Sequence, residues 1–238
     1  MKKYILSALT LMAAGLQTMW AQKVLIYKTD SQTMEYEVSE LDSIVFVPKE
    51  QMPSYLTCPD DNHPHAIDLG LPSGTKWACC NVGASAPEEY GGYYAWGETW
   101  EKDVYDWNTY IYGNSNTNTS FDFSHDVARV LMGTPWYMPL AIQFRELLSN
   151  CSQQWTQLKG VNGILITGPN GGQIFLPAAG YRIGEGLKKN GSYGDYWSSS
   201  LSPYGSFCAY DLYFHSEGWA LGEWGNGSGG RSVHAVCP

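Results

Sequence analysis

The chain has 238 residues, a formal net charge of −9, 44% hydrophobic residues and 16% charged residues. Charged content well below the ~25% of an average soluble protein, beside ordinary apolar content, excludes an intrinsically disordered chain and a long charged coiled coil. Nucleic acid is excluded as a partner too: releasing counterions from a polyanion needs clustered Lys and Arg, and the 14 basic residues are scattered with no basic stripe.

At the N-terminus, Lys2 and Lys3 precede an apolar run from Ile5 to Leu16 and a polar-to-small exit from Gln17 to Ala21. That order predicts a secretory signal peptide at residues 1–21. A membrane anchor would need about 18 unbroken apolar residues, and Gln17 and Thr18 stop this run first. No cysteine precedes Cys58, so none is placed to carry a lipid after cleavage. The mature chain is expected to be secreted, periplasmic or at the cell surface, without a transmembrane segment.

Residues 22–48 are expected to form a small β segment. Val24 to Tyr27, a polar turn at Asp30 to Gln32, and Met34, Tyr36 and Val38 alternating with polar residues predict a hairpin, with a further strand at Ser43 to Val47. Residues 49–64, rich in Pro, Asp and other polar residues without periodicity, predict a linker. The main domain follows at residues 65–238. It offers strands at Thr75 to Val82, Ile164 to Thr167, Gln173 to Leu176, Tyr196 to Ser200, Phe207 to Phe214 and Ser232 to Val236. One helix is expected at Leu140 to Asn150, where Ile142, Phe144, Leu147 and Leu148 recur at helical spacing after Pro139. The class predicted is α+β: β-rich, with one or two helices and long loops.

Candidate chemistry is sparse. Ser198 to Ser200 lack the Gly-X-Ser-X-Gly setting of an activated nucleophile, and the five histidines form no recognisable triad. Six cysteines without a Cys-X-X-Cys pair point to disulfides in an oxidising compartment rather than to zinc, with the connectivity open. The acidic stretch from Asp60 to His65 lacks the ligand spacing of a calcium loop and is expected to be solvated linker. No metal, no cofactor and no enzymatic activity is expected. The aromatic residues are more suggestive. Tyr213, Trp219, Trp224 and Asn226 gather near glycine-rich turns, where rings and an amide could address a sugar face. Packing of the two tryptophans inside the loop stays open as the alternative. Trp77, Trp96 and Trp197 are expected in the core.

Several phrases occur in order: Ile67 to Ala78 (IDLGLPSGTKWA), Cys80 to Ala84 (CNVGA), Tyr94 to Glu98 (YAWGE), Phe175 to Tyr181 (FLPAAGY), Tyr196 to Ser200 (YWSSS) and Gly230 to Val233 (GRSV). Together they resemble the major paralogous domain family first described from Fibrobacter succinogenes and abundant in exported proteins of gut Bacteroidetes. The resemblance spans residues 65–238, and the segment from Leu41 to Phe46 resembles a leader that often precedes this domain. It implies a C-type lectin-like fold, similar to that of formylglycine-generating enzymes, and a domain for recognition at the cell surface. It also implies adjacent first and last strands, hence a Cys80–Cys237 disulfide. The chain departs from the family in Trp136 to Leu140, where a basic residue before Met138-Pro139 and a Thr after them are usual, and at His234, where Arg is usual. Loss of one or two internal ion pairs would follow. The calcium-site triplets of sugar-binding lectins, Glu-Pro-Asn or Gln-Pro-Asp with Trp-Asn-Asp, are absent. The expected function is an exported module binding a glycan or surface protein through Tyr213, Trp219, Trp224 and Asn226; a structural or adhesive accessory of the cell envelope is the alternative.

Overall fold

The computed structural model describes residues 65–113, 123–205 and 207–238, together with the backbone of two strands at 23–27 and 33–37. The chain divides into two compact units, residues 1–51 and 52–238. In the first, β1 (Lys23–Tyr27) and β2 (Thr33–Glu37) pair antiparallel with Leu25 opposite Glu35. This is the expected hairpin. The signal peptide, the strand expected at Ser43 to Val47, the linker and Cys58 lie outside the described residues.

The second unit is β-rich with two short α-helices, and its strands form several small sheets. β3 (Ala66–Asp68) and β4 (Lys76–Ala78) form one sheet with β13 (Val236–Cys237), β4 lying in the middle. Strands β5 (Ser152–Leu158), β6 (Val161–Thr167) and β7 (Gln173–Pro177) make an antiparallel meander. β8 (Tyr181–Ile183) and β9 (Gly186–Lys188) form a small hairpin. The longest strands, β10 (Tyr193–Leu201), β11 (Cys208–His215) and β12 (Gly218–Asn226), form a second meander.

Helix α1 (Val127–Met132) starts at Asp126, whose carboxylate accepts from the Arg129 N–H at 3.0 Å and from Met138 N. This cap satisfies an amide left orphaned at the helix start. Helix α2 (Ala141–Asn150) is the expected helix, and the Gln143 Oε1 accepts from the Leu140 N–H at 2.8 Å.

The faces of the β10–β12 sheet follow from period-two alternation. Tyr196, Leu212 and Phe214 point to one side and join Trp77, Phe144, Leu147, Ile164 and Leu176 in the main core. Residues 193, 195 and 197, paired across the sheet with 215, 213 and 211, point to the other. Trp77 and Trp197 are fully buried and Trp96 nearly so, as expected.

Between Gly230 and Val236 the chain threads the whole unit. Gly230 bridges Arg182, Arg231 bridges Tyr94, Ser232 bridges Tyr196 and Val236 bridges Tyr137. The carbonyls of Val233 and Ala235 accept from Val82 N and Ala78 N, each at 2.9 Å. The strands expected at Thr75 to Val82 and Ser232 to Val236 are therefore adjacent, but only their ends form a regular ladder.

That register corrects the disulfide. Cys237 lies opposite Lys76, whereas the neighbourhood of Cys80 faces Val233. The Cys80–Cys237 bridge is not formed, and no two cysteines of the described residues stand at disulfide distance. The two strands are neighbours, as the resemblance implies, but the pair is out of step by several residues.

Candidate functional site

The non-core face of the β10–β12 sheet opens into a cavity of about 790 Å³. Its floor is ionic. Asp195 on β10 and Asp211 on β11 both approach Arg231, whose Nε lies 2.7 Å from Asp195 Oδ1 and 3.4 Å from Asp211 Oδ2. Asp195 is 4% and Asp211 6% exposed. The Arg231 guanidinium lies 4.0 Å above the centre of the Trp197 ring and donates from Nη1 to the Asn226 carbonyl at 3.2 Å. The Asp195–Arg231 contact is a close, buried ion pair, with the Nε–H poorly aligned for a hydrogen bond.

Two carboxylates share one guanidinium at the floor, and the Lys189 charge adds a smaller pull toward ionised Asp195. Burial raises the pKa of both, and the Arg231 charge only partly opposes it. Asp211 is pushed up to about 7, by burial first and the Asp195 charge second. It holds its proton toward Asp195, so the pair retains one proton near neutrality.

The sequence makes room for this floor in β12. A methyl group at Gly222 would stand 1.8 Å from Asp211 Oδ1, and one at Gly225 would stand 2.5 Å from the Trp197 ring. Asp211 pairs with Gly222 and Ala209 with Gly225, so β12 carries one extra residue at Glu223 or Trp224. This bulge re-aims the strand. It brings both glycines under the floor and leaves Trp224 at the rim, 67% exposed.

The walls are aromatic. Tyr193 and Tyr213 stack at 6.0 Å with an interplanar angle of 12°, Tyr181 meets Tyr193 edge-on, and the Lys189 Nζ lies 4.9 Å above the Tyr193 ring. Trp224 stacks on Tyr204 at 4.6 Å. Burial and the two carboxylates hold the Tyr193 hydroxyl above its ordinary pKa, so it stays a neutral donor.

Of the residues expected to bind a ligand, Tyr213, Trp224 and Asn226 line this one cavity. The Asn226 Oδ1 is taken by the N–H and hydroxyl of Ser228, both at 3.0 Å, so its NH₂ group is the end left to address a ligand. Trp219 lies elsewhere. It pairs with Phe214 and packs against the main core, because alternation along β12 turns it to the opposite face. Residues 219–226 belong to a strand, not to an exposed glycine-rich loop. Sequence reasoning missed Asp195, Asp211 and Arg231. The available signal was a lone carboxylate in each of two apolar strands, two residues from Trp197 and Tyr213 respectively.

The His234 imidazole is buried between Asn81 Oδ1 at 2.8 Å and the Ala78 carbonyl at 2.7 Å. Burial lowers its pKa to about 4. Its hydrogen-bond partners are neutral groups, an amide oxygen and a backbone carbonyl. Tyr137, just before Met138-Pro139, is half-buried against the main core, and its hydroxyl accepts from Gln143 Nε2 at 2.9 Å.

No group of three or more His, Cys, Asp or Glu among the described residues is placed to hold a metal ion. No helix of the described residues is long and apolar enough to cross a membrane. Comparison with protein-family models, curated proteins and solved structures found no match.

Proposed function

We propose that residues 65–238 form an exported recognition module of C-type lectin-like design and that the cavity over the β10–β12 sheet binds a carbohydrate. The observation that carries this reading is the convergence of three chemistries on one concave surface: an exposed tryptophan at the rim, a stacked tyrosine wall and buried carboxylates below. Sugars present apolar ring faces edged by hydroxyls, and such a surface complements both. Ligand sites are concave, mostly apolar and equipped with a few converging polar groups. Export of the chain through the segment from Met1 to Ala21 would place the site outside the cytoplasm. Binding would proceed without calcium, since the lectin triplets are missing.

A glycan array probed with the secreted protein, followed by calorimetry on the hits, tests the reading. Trp224→Ala should weaken binding about 30-fold, the loss typical of a tryptophan hot spot worth about 2 kcal/mol. A chelator should change nothing. Binding that survives Trp224→Ala unaltered, or that a chelator abolishes, would overturn the proposal.

A further inference from the structure

We propose that the cavity takes a sugar bearing an anionic group, the carboxylate of a uronic acid or a sulfate ester, held by Arg182 and Lys189. This inference rests on the reading of the cavity as a carbohydrate site and names the ligand class within it.

The charged groups lining the cavity differ in whether the protein itself satisfies them. Asp195 lies against Arg231 and Asp211 keeps a proton beside them, so the floor is neutral. The Glu223 carboxylate stands 3.7 Å from Arg145. Asp106 Oδ1 accepts from the N–H groups of Asn108 and Thr109, both at 2.9 Å. Arg182 and Lys189 line the same cavity and, among the described residues, neither forms an ion pair. Every carboxylate there is engaged, and two cations wait for an anion.

Both cations rest on rings instead. The Arg182 guanidinium carbon lies 5.1 Å from the centre of the Tyr93 ring, and Lys189 Nζ lies 4.9 Å from that of Tyr193. Stacking occupies the face of the guanidinium and leaves its N–H edge, the edge that meets a carboxylate or sulfate with two parallel bonds. The backbone fixes where that edge stands. Arg182 donates to the Gly230 carbonyl at 2.7 Å and accepts from the Gly230 N–H at 3.0 Å, which ties it in register to the chain that carries Arg231. Lys189 follows directly on β9, whose Lys188 pairs with Tyr181, so one hairpin presents both cations.

The uncharged groups have the same bias. The Tyr193 hydroxyl stays a neutral donor, and Asn226 has its NH₂ group left to offer because Ser228 occupies its oxygen. These four groups all donate. A neutral sugar hydroxyl can accept from them, but a charged oxygen accepts with bonds roughly twice as strong.

The test is calorimetry of the mature chain with glucuronic acid, glucose 6-sulfate, glucose and glucuronamide at about pH 6, where a uronic acid is ionised and Asp211 keeps its proton. At least one of the two anionic sugars should bind about tenfold tighter than glucose and glucuronamide, the gain of one charge-assisted contact; the tighter of the two identifies the group. Raising the salt from about 0.1 M to about 1 M should shrink the preference, because Lys189 is exposed and Arg182 only half-buried. Arg182→Gln should reduce the preference, and so should Lys189→Asn, which suits the left-handed backbone at that position (φ 54°). Native circular dichroism is checked for each, and if Arg182→Gln does not fold, Lys189→Asn decides. Equal binding of charged and neutral sugars by the wild type, or a preference that survives the substitutions, would overturn the anion site; with Trp224→Ala still weakening every sugar, the carbohydrate reading would stand. If no sugar binds and the glycan array is blank, both fall together.

Discussion

Acidification should act on this protein through two buried groups of opposite sign. His234 is fully buried, with its pKa lowered from 6.5 to about 4. The unfolded chain binds a proton there that the native chain refuses, so stability is intact above about pH 6.5 and declines as the pH falls toward 4. The full difference of about 2.5 pKa units corresponds to roughly 3 kcal/mol. Asp211 works the other way. Its folded pKa lies above the ordinary 3.8, at about 7, so native stability increases as the pH drops through that range. Urea unfolding of wild type, His234→Gln and Asp211→Asn at pH values from about 7.5 to 4.5 separates the two contributions. His234→Gln should lose the acid-labile component and become relatively more stable on acidification. Asp211→Asn should lose the compensating gain and show a steeper decline than the wild type. Identical pH slopes for His234→Gln and wild type would refute the claim that a neutral, buried imidazole controls acid lability.

Gly222→Ala should destabilise the second unit by about 1–3 kcal/mol in urea unfolding, because the added methyl collides with the Asp211 carboxylate at the floor. The two late tryptophans should separate cleanly in thermal melts. Trp224→Ala should stay within about 0.5 kcal/mol of wild type, as surface substitutions do, and Trp219→Ala should cost about 2 kcal/mol or more because its ring packs on the core. After denaturation without reductant, alkylation followed by mass spectrometry should find no peptide linking Cys80 to Cys237, since the two are unbridged among the described residues; a Cys80–Cys237 linked peptide would contradict the strand register.

Much of the framework was legible because burial writes itself into apolar runs. β6, β7, β10, β11 and α2 all stand close to where alternation or helical spacing put them. β5 escaped notice because it is an edge strand with polar residues at most of its positions, where no apolar pattern is required. β12 escaped because Gly218, Gly222 and Gly225 look like turn residues. Two of those glycines are there for close approach of Asp211 and Trp197, and that demand comes from a neighbouring strand. Trp219 and Trp224 have the same kind of local sequence, and only the pairing with Phe214 and the bulge near Trp224 send one inward and one to the rim. The ionic floor was hidden for a related reason. Asp195, Asp211 and Arg231 come from three segments joined by register, and no local spacing links a carboxylate in one strand to a guanidinium beyond the end of another.

The threading of residues 230–236 through five separate parts of the second unit bears on when the protein can fold at all. Its contacts reach back to Val82 and Ala78, about 150 residues earlier, and loop closure over such distances precedes any return in burial. A nascent chain lacking this stretch has Trp77 without its β13 neighbour, Asp195 without its guanidinium and Tyr94 and Tyr196 without their bridging strands. Completion of the core therefore waits until Cys237 has left the ribosome.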